Sequence, residues 1–336
     1  MANSSTPPHL EDRFLQTEGW TWGSFKNNNG QMLRFGSLYP EGNTPNAVIV
    51  LLPGRTEFIE KYFETARDLT QKNLAVWVID WRGQGKSEDI SGDTPHRGHS
   101  PDFNEHVADL NEFITDYVIK AAIRKNKKTI PLIMLAQSMG GNIGLRYLHA
   151  HPGDFKAALL CAPMLGINDI KFLPLSLAMI LVKILGSLFG VHSYAFGQNN
   201  WKATERQNTD IFSHDPARNA VHDAWYLSDP TLQVGGVTFG WLYHALRSCK
   251  KISRKKALTS IKTPLLLALA GKEELVDTKA INRAAKLLPN AKTLEFPEAG
   301  HEILMEKDDI RNKLLSSLTE ITQEIADKNG SALETL

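Results

Sequence analysis

Hydrophobic and polar positions alternate along residues 19–25 and again along 31–39, on either side of the turn-forming run Asn27-Asn28-Asn29-Gly30. Alternation with a period of two, interrupted by residues that tolerate a tight turn, predicts an antiparallel hairpin. The pattern then changes. Residues 47–52, 74–79 and 131–136 are short, almost wholly apolar runs, each leading through a loop into a longer amphipathic stretch at 58–71, 103–124 and 139–149. A strand apolar on both sides is covered on both sides, so this strand–helix alternation predicts an α/β fold with a mostly parallel sheet and helices on both faces. Residues 157–161 supply the next buried strand, and 264–270 and 293–296 two more, before a closing helix over 307–325. Between about 165 and 258 no strand-like run of this kind occurs. The interruption predicts a helical cap at 165–258, inserted between a first core segment at 13–164 and a second at 259–328.

One stretch of the cap, residues 172–191, contains a single charge, Lys183, and resembles a membrane span. Spanning would divide one sheet across a bilayer and hold Lys183 near its centre, at a cost of about 2.5–3.5 kcal/mol. A cap helix that shelters an apolar substrate, or touches lipid at an interface, accounts for the same residues.

Composition narrows the class. With 42% hydrophobic and 22% charged residues the chain reads as an ordinary soluble protein, and Lys+Arg 38 against Asp+Glu 37 provides no field for a polyanion. Nucleic acid is therefore not an expected partner. Two cysteines, Cys161 and Cys249, do not make a disulfide framework and fit a reducing compartment. The first fourteen residues carry Pro7, Pro8, Glu11 and Asp12 and lack the basic start and apolar stretch of a secretory signal. The expected location is cytoplasmic, with transient contact at the inner membrane face.

Candidate chemistry begins at Gln137-Ser138-Met139-Gly140-Gly141, between a buried strand and an amphipathic helix. A tight strand-to-helix turn there would lift Ser138 above the sheet as a nucleophile, with small Ala136 and Gly140 letting strand and helix approach. The plainer alternative is a serine that caps an ordinary helix. A serine needs a base to take its proton, and among 11 histidines His301 stands in Pro297-Glu298-Ala299-Gly300-His301-Glu302, a loop between the last predicted strand and the last helix. His96 and His99 are placed at the mouth of the site. A carboxylate must orient the imidazole, and the turn after 264–270 offers Glu273, Glu274 and Asp277; Glu273 is favoured and the other two stay as rivals. Oxyanion donors are expected from the amide of Met139, directly after the nucleophile, and from that of Arg55 in Pro53-Gly54-Arg55-Thr56-Glu57, where Gly54 allows the turn. Gly83-Gln84-Gly85-Lys86-Ser87 looks like a phosphate loop, but the pattern requires glycine where Asp80 stands. The basic residues Arg247, Lys250, Lys251, Arg254, Lys255 and Lys256 read as a solvated face.

With these residues placed, the chain from about 19 to 325 resembles the bacterial lysophospholipase and monoacylglycerol lipase branch of the α/β-hydrolases. The similarity is carried by Leu52-Pro53-Gly54-Arg55-Thr56-Glu57, by Ile79-Asp80-Trp81-Arg82-Gly83-Gln84-Gly85-Lys86-Ser87, by His96-Arg97-Gly98-His99, by Gln137-Ser138-Met139-Gly140-Gly141 and by His301-Glu302-Ile303-Leu304. In the cap, Tyr194-Ala195-Phe196-Gly197-Gln198 and Gly235-Gly236-Val237-Thr238-Phe239-Gly240-Trp241 are similar to the lysophospholipase members. The resemblance implies the α/β-hydrolase fold, Ser138 as nucleophile, His301 as base, Arg55 and Met139 as oxyanion donors, and Gly54 and Trp241 beside the substrate. Family members usually place aspartate where Glu273 falls, four residues before the match to Asp277. The expected reaction is acyl-enzyme hydrolysis of a small-molecule lipid ester carrying one acyl chain, with no cofactor and no metal. A serine aminopeptidase on the same scaffold, using Asp169, Asp210, Asp215 or Asp223 to hold an amine, is one alternative. The other is a catalytically silent lipid binder, suggested by the unusual Glu273.

Overall fold

The computed structural model describes residues 8–331 except 43, 89–96, 101, 124–128, 171 and 204–209, with side chains through 325. His96 and the last residue of the predicted 103–124 helix lie outside the described residues. Eight strands form one sheet in the order β1-β2-β4-β3-β5-β6-β7-β8. They are β1 (Thr21–Lys26), β2 (Met32–Leu38), β3 (Ala47–Leu52), β4 (Leu74–Ile79), β5 (Leu132–Gln137), β6 (Phe155–Cys161), β7 (Leu265–Ala270) and β8 (Ala291–Phe296). β1 and β2 form the antiparallel hairpin, β2 joins β4 antiparallel, and every pairing from β4 to β8 is parallel.

The helices are α1 (Phe63–Gln71), α2 (Phe103–Phe113), α3 (Ile119–Ala122), α4 (Met139–Ala150), α5 (Leu175–Phe189), α6 (Pro216–Ser228), α7 (Phe239–Ile252), α8 (Lys255–Ser260), α9 (Thr278–Ala285) and α10 (Asp308–Ser331). Side chains of β3 show why helices cover both faces. Val48, Val50 and Leu52 enter one core with α2, α4, α7 and α9, whereas Ala47, Ile49 and Leu51 enter the other with α1, α6 and α10. All six are 0% exposed, so neither face of this strand could be left to water.

Two expectations about helices are corrected. The single helix predicted over 103–124 is broken by a π-helical turn at Ile114–Val118, between α2 and α3. The β7–β8 connection contains α9, a helix of eight residues that the hydrophobic pattern did not signal. Between β6 and β7 the described chain forms α5 to α8 and no strand, only isolated bridges such as Tyr194 to Thr238.

α5 packs with its small face inward. Ala178, Val182 and Gly186, spaced by four, are its buried positions, and they meet Phe239 and Leu246 of α7. Its large residues point outward: Ile180 is 56% exposed, Ile184 51% and Leu188 72%. Among the described residues no helix is long and apolar enough to cross a membrane.

Candidate active site

Parallel strands β3, β5, β6 and β7 bring their C-terminal ends to one edge of the sheet, where open α/β sheets place their sites. Ser138 follows β5 directly and has φ 49° and ψ −111°. A left-handed φ in a residue other than glycine costs about 1–3 kcal/mol and persists only where surroundings enforce it. Here Ser138 N–H donates to the Cys161 carbonyl at 2.9 Å, and its own carbonyl accepts from Met164 N at 2.9 Å and Asn142 N at 3.2 Å. Its side chain makes no capping bond to α4, so the plain helix-cap alternative does not describe this serine. Gly140 is required by the same turn, because a Cβ there would lie 2.2 Å from the Leu52 carbonyl oxygen.

His301 reaches this edge on the loop after β8. Its N–H donates to the Ile211 carbonyl at 2.8 Å, and its carbonyl accepts from Gln137 Nε2 at 3.0 Å. The residue before Ser138 therefore fastens the histidine loop. His301 Nδ1 lies 2.8 Å from Glu273 Oε2, with the two side chains 6% and 1% exposed. Glu273 Oε1 is held by the Leu275 and Val276 amides at 2.7 and 3.0 Å. Burial disfavours the ionised carboxylate, yet the His301 charge, its hydrogen bond and the two amides outweigh burial and hold Glu273 below the ordinary glutamate range. Burial likewise pulls His301 down, and the negative charge and hydrogen bond of Glu273, with Glu302 and Glu57 behind it, raise it above its ordinary value of 6.5. With Nδ1 turned to Glu273, Nε2 is the nitrogen left to exchange a proton with a hydroxyl.

The other two carboxylates of the turn are placed elsewhere. Glu274 is exposed and takes part through its backbone, accepting from Asn168 Nδ2 at 2.9 Å. Asp277 caps α9, accepting from Lys279 N at 2.9 Å.

The loop after β3 lies against the serine: a Cβ on Gly54 would come within 3.4 Å of the Ser138 Cβ. Residues far away in sequence shape it. Trp81 Nε1 donates to the Pro53 carbonyl at 2.8 Å, and Gln84 Nε2 to those of Gly54 at 3.0 Å and Glu57 at 3.2 Å. Buried Lys61 bridges Glu57 at 2.8 Å and Glu302 at 2.7 Å, linking this loop to the residue after His301. From α6, Tyr226 Oη donates to the Thr56 carbonyl at 2.8 Å, and His222 Nε2 lies 3.2 Å from it. Sequence reasoning passed over Trp81, Gln84, Lys61, Gln137 and Tyr226 as functional supports. The Gly83–Ser87 stretch, dismissed as a phosphate loop, proves to be one of these supports, with Asp80 accepting from the Ile59 and Lys86 amides at 2.9 and 3.0 Å.

Trp241 is 6% exposed and packs against Phe103 and the Arg55 guanidinium, which lies 5.2 Å from its ring and donates to the Gly235 carbonyl. His99 Nδ1 is 3.1 Å from Thr238 Oγ1, joining the segment before α2 to the start of α7. Asp169 and Asp210 are exposed, and Asp215 caps α6 and pairs with Arg218 at 3.1 Å. Asp223 is 5% exposed; one oxygen is 3.0 Å from His222 Nδ1 and the other has no hydrogen-bond partner among the described residues.

Residues 43–308 match the family described as serine aminopeptidase, S33. Lysophospholipase L2 of Escherichia coli K12 is 33% identical over 280 residues, spanning 81% of this chain and 79% of that protein. Monoacylglycerol lipase of Mycolicibacterium smegmatis is 27% identical over 82% of this chain and 90% of its own. Among solved structures, a soluble variant of monoglyceride lipase from Saccharomyces cerevisiae superposes with a TM-score of 0.71 at 16% identity, covering 94% of this chain and 99% of that one. A thermostable carboxyl esterase from Bacillus coagulans gives 0.70 at 17% identity, covering 92% and 100%. These two share the α/β-hydrolase fold with this chain.

Proposed function

Because the chain belongs to the serine aminopeptidase (S33) family of hydrolases, we propose that it is a serine hydrolase that cleaves carboxylic esters of monoacyl lipids. The observation that carries this reading is the buried Glu273–His301 pair, held by Gln137 at the foot of the strained Ser138 turn. Ser138 Oγ attacks the ester carbonyl while His301 Nε2 takes its proton. The amides of Met139 and Arg55 donate to the oxyanion, and ionised Glu273 stabilises the imidazolium without accepting the proton itself. His301 returns the proton to the leaving alcohol, the C–O bond breaks, and an acyl-Ser138 remains. Water, deprotonated by His301, then attacks the acyl carbonyl, and as the bond to Ser138 Oγ breaks His301 returns the proton to Oγ, which releases the fatty acid and restores the serine.

The lipid part of the proposal is supported by the relatives named lysophospholipase and monoacylglycerol lipase and by α5, whose outward Ile180, Ile184 and Leu188 suit an acyl chain or the surface of a lipid aggregate. Transient contact of α5 with a membrane is part of the reading. The test is hydrolysis of p-nitrophenyl esters from acetyl to palmitoyl by the wild type and by Ser138→Ala. Ser138-dependent turnover that favours longer chains is expected, and equal activity in the variant would overturn it. The aminopeptidase reading rests on the Asp223 oxygen that has no partner among the described residues. Turnover of aminoacyl arylamides with none of acyl esters would favour it.

A further inference from the structure

Arg146 lies on α4, two turns beyond the serine, and is 6% exposed. Among the described residues its side chain bonds to neutral acceptors: Nη1 donates to Ser248 Oγ at 3.0 Å and Nη2 to the Asn104 carboxamide oxygen. That same oxygen accepts from Lys251 Nζ at 2.9 Å. Two cations from α4 and α7 thus converge on an uncharged amide of α2. The acid that acts on both is Asp102, and it is already engaged, capping α2 through Asn104 N at 2.8 Å and accepting from Asn104 Nδ2 at 2.9 Å and Arg247 Nη1 at 3.1 Å. Burial pushes Arg146 and Lys251 below their ordinary ranges, and the positive charge of Arg247 pushes both further the same way.

Asn104, Val107, Arg146, His149, Lys251 and Ile252 line an open pocket of about 410 Å³, its solvent-filled mouth included. A buried guanidinium whose nearby acid, Asp102, is bonded instead to Asn104 and Arg247 is under-compensated, and a planar fork beside an ammonium is the donor set that phosphate oxygens accept from. We propose that this pocket binds a phosphate group, with Arg146 and Lys251 donating to its oxygens. One residue away, Lys250 Nζ donates to Ser176 Oγ at 2.8 Å, tying the end of α7 to the start of α5. The pocket therefore neighbours the helix with the outward apolar face, and the phosphate can come from a lipid headgroup as well as from solution. The site stands apart from Ser138 and does not rest on the catalytic assignment.

The test is thermal melting of the full chain in sodium phosphate against sodium chloride at equal ionic strength. Wild type should gain about 2–4 °C once phosphate reaches ten times its dissociation constant. Asn104→Asp puts a carboxylate between the two cations, so it should melt higher than wild type in chloride and gain nothing from phosphate. Lys251→Gln, at an exposed position, should keep the wild-type fold and show a reduced gain. No gain in wild type, or an equal gain in all three proteins, overturns the proposal. Sedimentation with phosphatidylglycerol and phosphatidylcholine vesicles separates the sources. Vesicle binding lost in both variants supports a headgroup in the pocket, and vesicle binding unchanged beside a lost melting response supports free phosphate.

Discussion

At the scale of single residues, the proposed chemistry depends on two charge states. Ser138→Ala should lower kcat by about 10³-fold or more while leaving the melting temperature within a few degrees, since the backbone bonds that hold the turn do not involve Oγ. Enzyme assay beside circular dichroism checks both halves. The pH profile follows from His301. A base must be neutral, and Glu273 raises the His301 pKa above 6.5, so kcat/KM should rise with pH through a limb centred above 6.5. Glu273→Gln removes the charge responsible. It should shift that limb to lower pH and lower the plateau by about 10³–10⁴-fold, as expected when an imidazole loses its orienting carboxylate. An unmoved limb would separate Glu273 from His301. The pair also stabilises the fold, with a definite window. The His301 part is complete below pH 6.5 and lost as pH rises through the raised pKa, and the Glu273 part is complete above 4.5 and lost as pH falls through the lowered one. Spacing alone left three carboxylates within five residues of one loop. Two backbone amides aimed at Glu273 distinguish it from its neighbours, and amide direction is not written in composition.

At the scale of elements, legibility followed burial. β3, β4 and β5 could be read almost to the residue because both of their faces are apolar, while α9 was passed over because Lys279, Asn282 and Arg283 leave it only a narrow stripe of Ala280, Ile281 and Ala284 to bury. The loop proposed to hold the oxyanion could be placed from Gly54, but its supports could not, since Trp81 and Gln84 act across 27 to 30 positions of chain. Those supports make a prediction of their own. Gln84→Ala frees the carbonyls of Gly54 and Glu57, so the loop should lose its set and kcat fall by about 10–100-fold, with KM changing less than threefold. Steady-state kinetics on one soluble ester decides it. A change in KM alone would mean that the loop contacts substrate without contributing to the transition state.

At the scale of the whole molecule, the segment between β6 and β7 does two unlike jobs. α5 presents Ile180, Ile184 and Leu188 outward. Ile180→Glu with Ile184→Glu should leave hydrolysis of a water-soluble acetyl ester near wild type and cut turnover of vesicle-borne long-chain substrate by about tenfold or more, as interfacial binding scales with buried apolar area. Parallel assays on the two substrates are the check. α6, by contrast, is tied down. Arg218 donates to Glu64 of α1 at 2.8 Å, to the Glu306 carbonyl at 2.7 Å and to Asp308 of α10 at 2.6 Å, while Tyr226 holds the carbonyl of Thr56. The insertion is therefore not an interchangeable module. A graft that replaced all of it would carry away part of the scaffolding behind the loop that carries Thr56, whereas one limited to α5 would not. A substitution on the outer face of α5 thus meets solvent alone, whereas one at Arg218 or Tyr226 of α6 is felt by α1, α10 and the loop that carries Thr56.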